Sequence, residues 1–312
     1  MVVGSIESSP ERVRAIGERL LNEDVSFAKR YRCLFALMNL KPSELTRKPL
    51  LEALADTKHG ALMRHEVAYV LGQMQDKEDA VVSLLVKVLK DESDDPMVRH
   101  ECAEALGNIA TETCKTVLHD HLKDSCREVA ETCELAVRKV ADVEKEEKVA
   151  AGAESQFDTV DPALVSKAMQ EKPVAELEAL ALDETAGMHE RYEAIFAIRN
   201  KGGTLAVDLL SKCLSSSSSA LLKHEVAFVL GQLQNVEATE ILVKILRDKG
   251  ENPMVRHEAA EALGSVAERN KSICKILEDF CSDEVPEVAQ SCIVALDMLE
   301  NQENFEYLQE VA

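Results

Sequence analysis

The 312-residue chain carries 36 Lys+Arg against 57 Asp+Glu, a formal net charge of −21, with 46% hydrophobic residues. That length allows one large core or two of about 150 residues, and the acidic balance argues against a phosphate-backbone binder and favours a cationic partner. With no Trp, 4% aromatic residues, 12 Gly and 8 Pro, the composition points to helix almost throughout and excludes a β-sandwich or barrel, which needs turn residues at short intervals.

The N-terminal stretch MVVGSIESSPERVRA has no apolar run suited to a secretory signal, and no segment reaches the apolar length of a membrane span. The nine cysteines include no CxxC pair, so they are expected to be reduced, packed as small apolar groups in a cytoplasmic protein. From residue 30 the chain is built of repeats. RYRCLFALMN at 30–39, RHEVAYVLGQ at 64–73, PMVRHECAEALG at 96–107 and EVAETCELAV at 128–137 mark four units. They are spaced by about 30–35 residues, the length of a two-helix repeat. Residues 142–160, DVEKEEKVAAGAESQFDTV, are charged and then small and polar, and read as a flexible linker. Beyond it the same four units return as RYEAIFAIRN at 191–200, KHEVAFVLGQ at 223–232, PMVRHEAAEALG at 253–264 and EVAQSCIVAL at 287–296.

The expected architecture is therefore an all-α solenoid of eight helical hairpins. A four-repeat arm over 1–141 and another over 161–312 are joined by 142–160. One such hairpin cannot bury its own apolar stripe, and stacking makes the core continuous. Val67, Val70 and Leu71, and Val226, Val229 and Leu230, show the helical spacing of that stripe. Asp95-Pro96 and Asn252-Pro253 have the form of an N-cap followed by Pro at the first helical position, and Gly60 and Ser219 take the cap place by alignment.

One slot near the start of the second helix of each unit departs from what packing requires. Along the first half it holds Tyr31-Arg32, His65-Glu66, His100-Glu101 and Glu131-Thr132. Along the second it holds Tyr192-Glu193, His224-Glu225, His257-Glu258 and Gln290-Ser291. A single His-Glu pair is ordinarily solvated surface, and His189-Glu190, three residues ahead of the slot, reads so. Four pairs in the two central units of both halves read as metal ligands. Neighbouring helices lie roughly 10 Å apart, so an ion between them can take ligands from both at about 2.0–2.2 Å. Imidazole and carboxylate without thiolate argue against a structural zinc site and suit non-haem Fe(II), one ion per half. Zinc or manganese hydrolysis remains open on ligand type alone. His119 and His121 diverge on a helix and read as surface, and His59 reads as a turn residue. Glu104 and Glu261 read as helix-face charge, with partners of the ligands as the alternative, and Met97 and Met254 as packing near the helix start, with pocket lining as the alternative.

The four His-Glu pairs, with the PMVRHE…EALG and HEVA[YF]VLGQ blocks, resemble the deoxyhypusine hydroxylase family from about Arg30 to Leu299. The resemblance implies HEAT-like repeats and a di-iron monooxygenase. Its substrate would be the deoxyhypusine side chain on the precursor of translation initiation factor 5A, converted to hypusine with O2 and reductant. It implies one iron on His65, His100 and Glu101 and another on His224, His257 and Glu258. Glu66 and Glu225 would serve as further ligands or as anchors for the substrate ammonium. No nucleic acid or membrane is expected as partner. The competing expectation is a HEAT-repeat protein-interaction scaffold without chemistry.

Overall fold

A computed structural model describes residues 6–146, 157, 159–266 and 271–301. The described part of 1–141, with 159–162, forms one compact unit, and the rest of the described residues form a second. The first contains α1 (Pro10–Leu21), α2 (Phe27–Asn39), α3 (Glu44–Ala55), α4 (Gly60–Met74), α5 (Asp79–Lys90), α6 (Pro96–Ile109), α7 (Glu112–Asp120) and α8 (Arg127–Glu146). The second contains a single turn, α9 (Lys167–Gln170), followed by α10 (Val174–Leu182), α11 (Met188–Lys201), α12 (Gly203–Ser216) and α13 (Ala220–Leu233). It ends with α14 (Thr239–Arg247), α15 (Pro253–Val266), α16 (Lys271–Phe280) and α17 (Pro286–Glu300). Apart from α9, consecutive helices pair into the eight expected hairpins. The β pairing among the described residues is one isolated bridge, Ile6–Leu40, and no described helix is long and apolar enough to cross a membrane.

Local chemistry sets the helix starts. Asp95 accepts from Met97 N and Asn252 from Met254 N, both at 2.9 Å, with Pro at the next position. Ser219 accepts from Leu222 N at 3.1 Å. Each cap satisfies a donor that the first helical turn leaves without a carbonyl. Gly60 differs from expectation. It is the first residue of α4 with φ +81°, and the place before it belongs to His59, at the end of a 3-10 turn. Only a residue tolerant of positive φ turns the chain from that 3-10 turn into the helix there. The apolar stripe is buried as expected, with Val67, Val70, Leu71, Val226, Val229 and Leu230 all fully inside, each contributing about 1.5–3 kcal/mol. Six of the nine cysteines are buried, Cys126, Cys274 and Cys281 are half-buried, and burial pushes the Cys133 thiol up to about 12.

A row of arginines clasps the stack. Arg30, Arg64, Arg99, Arg191 and Arg256 each donate Nε–H to the carbonyl ten residues earlier, at 2.8–3.1 Å. That carbonyl lies in the last turn of the preceding helix, where carbonyls lack an intrahelical donor. The guanidinium ends then reach the following hairpin. Arg64 grips Asp94 through two bonds of 2.6 Å, and Arg99 and Arg256 grip Asp124 and Asp283 in the same bidentate way.

Arg30 meets His59 instead, Nη2 to Nδ1 at 2.6 Å. Arginine can only donate, so Nδ1 must accept and His59 must be neutral. Burial, and then the Arg30 charge, hold the His59 pKa below the usual imidazole value. The folded state thus binds this proton less readily than the unfolded chain. The contact is fully present above the ordinary imidazole pKa of about 6.5 and is lost as pH falls below it. His59→Asp restores the pairing used elsewhere and is expected to lessen the fall in melting temperature between about pH 7.5 and 5.5. Equal falls in both proteins would show that the contact carries no acid sensitivity.

The expected linker, 142–160, lies largely outside the described residues. Asp142–Glu146 continue α8. At the far end, Val160 N donates to Gln73 Oε1 at 2.8 Å and Gln73 Nε2 donates to the Val160 carbonyl at 3.2 Å.

Candidate metal centre

The four His-Glu pairs occupy the first turns of α4, α6, α13 and α15. All eight side chains belong to residues no more than 8% exposed. Burial of carboxylates is costly unless a cation or hydrogen-bond donors face them, so the arrangement requires positive charge close by.

In the first unit the His65 and His100 rings lie 5.3 Å apart, inclined at 45°. His65 Nε2 is 3.3 Å from Glu101 Oε2, and His65 Nδ1 is 3.2 Å from Glu66 Oε1. Ligand atoms of His65, His100 and Glu101 all fall within 4.8 Å of one another. Two ligands bound at about 2.0–2.2 Å to one ion stand about 3–4.4 Å apart, so the three are near the spread that a common ion requires. The second unit repeats two of these spacings on its own residues. The His224 and His257 rings are 5.3 Å apart at 44°, and His224 Nε2 is 3.4 Å from Glu258 Oε2. The donor set fits a borderline to hard divalent cation. Cys102, next to Glu101, is not among the residues that converge here, and burial, then the Glu101 charge, raise its pKa well above the ordinary thiol value.

Burial opposes protonation of His65, but its bonds to Glu101 and Glu66 outweigh that and hold its pKa well above the usual imidazole value. A proton there supplies the charge that a metal ion would bring, and metal uptake would release it. Glu104, on the turn after Glu101, is pushed up to about 8 by burial first and by the Glu101 charge second, with Lys139 acting against both. In the second unit Glu261 is buried, accepts from the Ser291 hydroxyl at 2.8 Å and lies 3.9 Å from His257 Nδ1. At that separation Glu261 flanks the His257 ring without hydrogen-bonding it. The helix-face expectation for Glu104 and Glu261 therefore gives way, because the faces bearing them turn toward the fourth hairpin of each half.

His189 also departs from expectation. It is buried, with Nε2 3.2 Å from the Asp142 carboxylate, because α11 is enclosed along most of its circumference and its first turn is not left to solvent. His119 is exposed and His121 only half-buried, its Nδ1 2.8 Å from the Val117 carbonyl. Met97 and Met254 are buried at the helix starts.

Four glycines escaped the sequence reading as parts of the site. Gly72, Gly107, Gly231 and Gly264 each follow a slot histidine by seven residues, nearly two full turns and so on the same helix face. A Cβ on Gly72 would stand 2.8 Å from Ala105 Cα, and one on Gly107 would stand 2.6 Å from Ala136 Cβ. The counterparts Gly231 and Gly264 face Ala262 and Ala295 at 3.3 and 2.9 Å. The regular His-x6-Gly spacing was the available signal.

HEAT repeats match residues 48–138 and 207–297. Deoxyhypusine hydroxylase-B of Oryza sativa subsp. japonica is 47% identical, over 93% of this chain and 94% of that protein. The deoxyhypusine hydroxylase of Homo sapiens is 40% identical, over 94% and 92%. The chain belongs to the deoxyhypusine hydroxylase family. The solved structure of the human family member, in complex with glycerol, superposes with a TM-score of 0.86 at 40% identity, covering 94% of this chain and 97% of that one. The family is one of enzymes, and the all-α HEAT-repeat architecture is shared with that structure.

Proposed function

We propose that this chain hydroxylates the deoxyhypusine side chain of the translation initiation factor 5A precursor, giving hypusine, with two iron ions, O2 and a reductant. The carrying observation is the buried imidazole–carboxylate cluster built twice with the same spacing, once in each half. On this reading His65, His100 and Glu101 hold one iron and His224, His257 and Glu258 hold the other. Bound iron supplies the redox capacity to place one oxygen atom of O2 on a C–H carbon and send the other to water, with two electrons and two protons from the reductant.

The protein's part is to bind, orient and exclude water. Burial of the ligands in the first turns of packed helices fixes their directions before the substrate arrives. The substrate arm is an aminobutyl cation, and the net charge of −21 draws it in. Glu66 and Glu225 carry further buried carboxylates, each next in sequence to a ligand histidine. Glu225→Ala separates their two roles. Retained iron with lost substrate binding assigns the anchoring role, and lost iron assigns ligation. The reading itself is tested by mass spectrometry of deoxyhypusine-bearing precursor incubated with the chain, Fe(II), reductant and O2. The expected gain is one oxygen atom, and an unmodified precursor beside a chain with its iron bound would refute the reading.

A further inference from the structure

The duplicated halves are alike in their ligand clusters but differ one hairpin away. Tyr31 in α2 and Tyr192 in α11 hold the same slot position. The Tyr31 hydroxyl donates to Glu66 Oε2 at 3.2 Å. The Tyr192 hydroxyl donates its single proton to the Leu221 carbonyl at 3.1 Å, at the start of α13. The rings pack differently to match. Tyr31 lies against Phe35 with centroids 4.8 Å apart at 35°, whereas Tyr192 meets Phe196 edge-on at 6.3 Å and 60°. The chain entering α4 through the 3-10 turn and Gly60 is also built differently from the Ser219-capped start of α13.

Glu66 is therefore engaged at both oxygens, Oε2 by the Tyr31 phenol and Oε1 by His65 Nδ1. A carboxylate held at two points has one orientation, and it fixes the plane of the imidazole it bonds. Partners of this kind, one shell out from a ligand, commonly change metal affinity by about 10–100-fold when removed. The geometry points to Tyr31 as a positioning residue that locks Glu66 and, through it, His65 in the first-half metal site. This inference rests on the metal-centre reading above.

The test uses the full chain and Co(II) or anaerobic Fe(II) as probe, so its readout is binding and not turnover. Tyr31→Phe keeps the ring on Phe35 and removes only the hydroxyl. In a His257→Ala background, which leaves the first-half site, Tyr31→Phe is expected to weaken binding by about 10-fold or more. In a His100→Ala background, which leaves the second-half site, it is expected to change nothing. Tyr192→Phe, whose hydroxyl serves a backbone carbonyl, is expected to leave the first-half affinity intact. A merely structural role would lower the melting temperature and weaken both sites alike, which overturns the inference. So does an unchanged first-half affinity in Tyr31→Phe. An unsubstituted chain that binds no ion removes the metal-centre reading and this inference together, whereas two bound ions with no effect of Tyr31→Phe remove this inference alone.

Discussion

On the di-iron reading proposed above, His100→Ala is expected to leave one iron per chain in place of two and to lower hydroxylation by about 10³-fold or more. The imidazole is buried in the first turns of α6, 5.3 Å from the His65 ring, and alanine removes both of its nitrogens. What remains in the first half is His65 and the carboxylates Glu66 and Glu101, a set that must hold an ion with one neutral nitrogen fewer. His257→Ala is expected to do the same to the second half, where the His224–His257 spacing is equal. Metal analysis of the purified variants, with mass spectrometry of the precursor, checks both. Two irons retained in His100→Ala would falsify the ligand assignment for that half.

Arg99→Met is expected to destabilise the first unit by about 3–5 kcal/mol. The Arg99 and Asp124 side chains are only 2% and 4% exposed, and two hydrogen bonds join them. Methionine fills most of the volume but leaves the Asp124 charge buried without its partner and takes the Nε–H donor from the Leu89 carbonyl. Adding Asp124→Leu removes the stranded charge and is expected to recover part of the loss, because a matched apolar pair costs less than half an ion pair. Urea unfolding of the single and double variants measures this. A single-variant loss below about 1 kcal/mol would place Arg99 among surface pairs of little consequence.

The tripeptide Arg-His-Glu shows where sequence reading ends. The histidine and glutamate of Arg99-His100-Glu101 were legible because they break an apolar helical pattern in a place where other units carry Tyr, Glu or Gln. The arginine recurs less strictly, with Lys223 in its place before His224, and its work is a bond to a carbonyl ten residues back and a grip on the next hairpin, and neither partner is visible without helix pairing. Glu104 and Glu261 were misread because an i+3 neighbour of a ligand turns either to solvent or to the next helix, and only the stack decides which. Tyr31 and Tyr192 look identical in the alignment. Their hydroxyls part company, one to the Glu66 carboxylate and one to the Leu221 carbonyl, and the turns into α4 and α13 differ as well. Eight hairpins, by contrast, followed from periodicity alone, since each unit repeats the same stripe.

The glycine–alanine approaches act as a caliper whose jaws are imidazoles. In α4 and α6 the backbone at Gly72 closes on Ala105 two turns beyond the histidines, on the face that carries them. The interaxial separation allowed by that contact bounds how wide the two rings can stand. On the metal-centre reading, the spacing of the ligands is thereby referred to a van der Waals contact about 10 Å further along the helix, made by residues outside the ligand set.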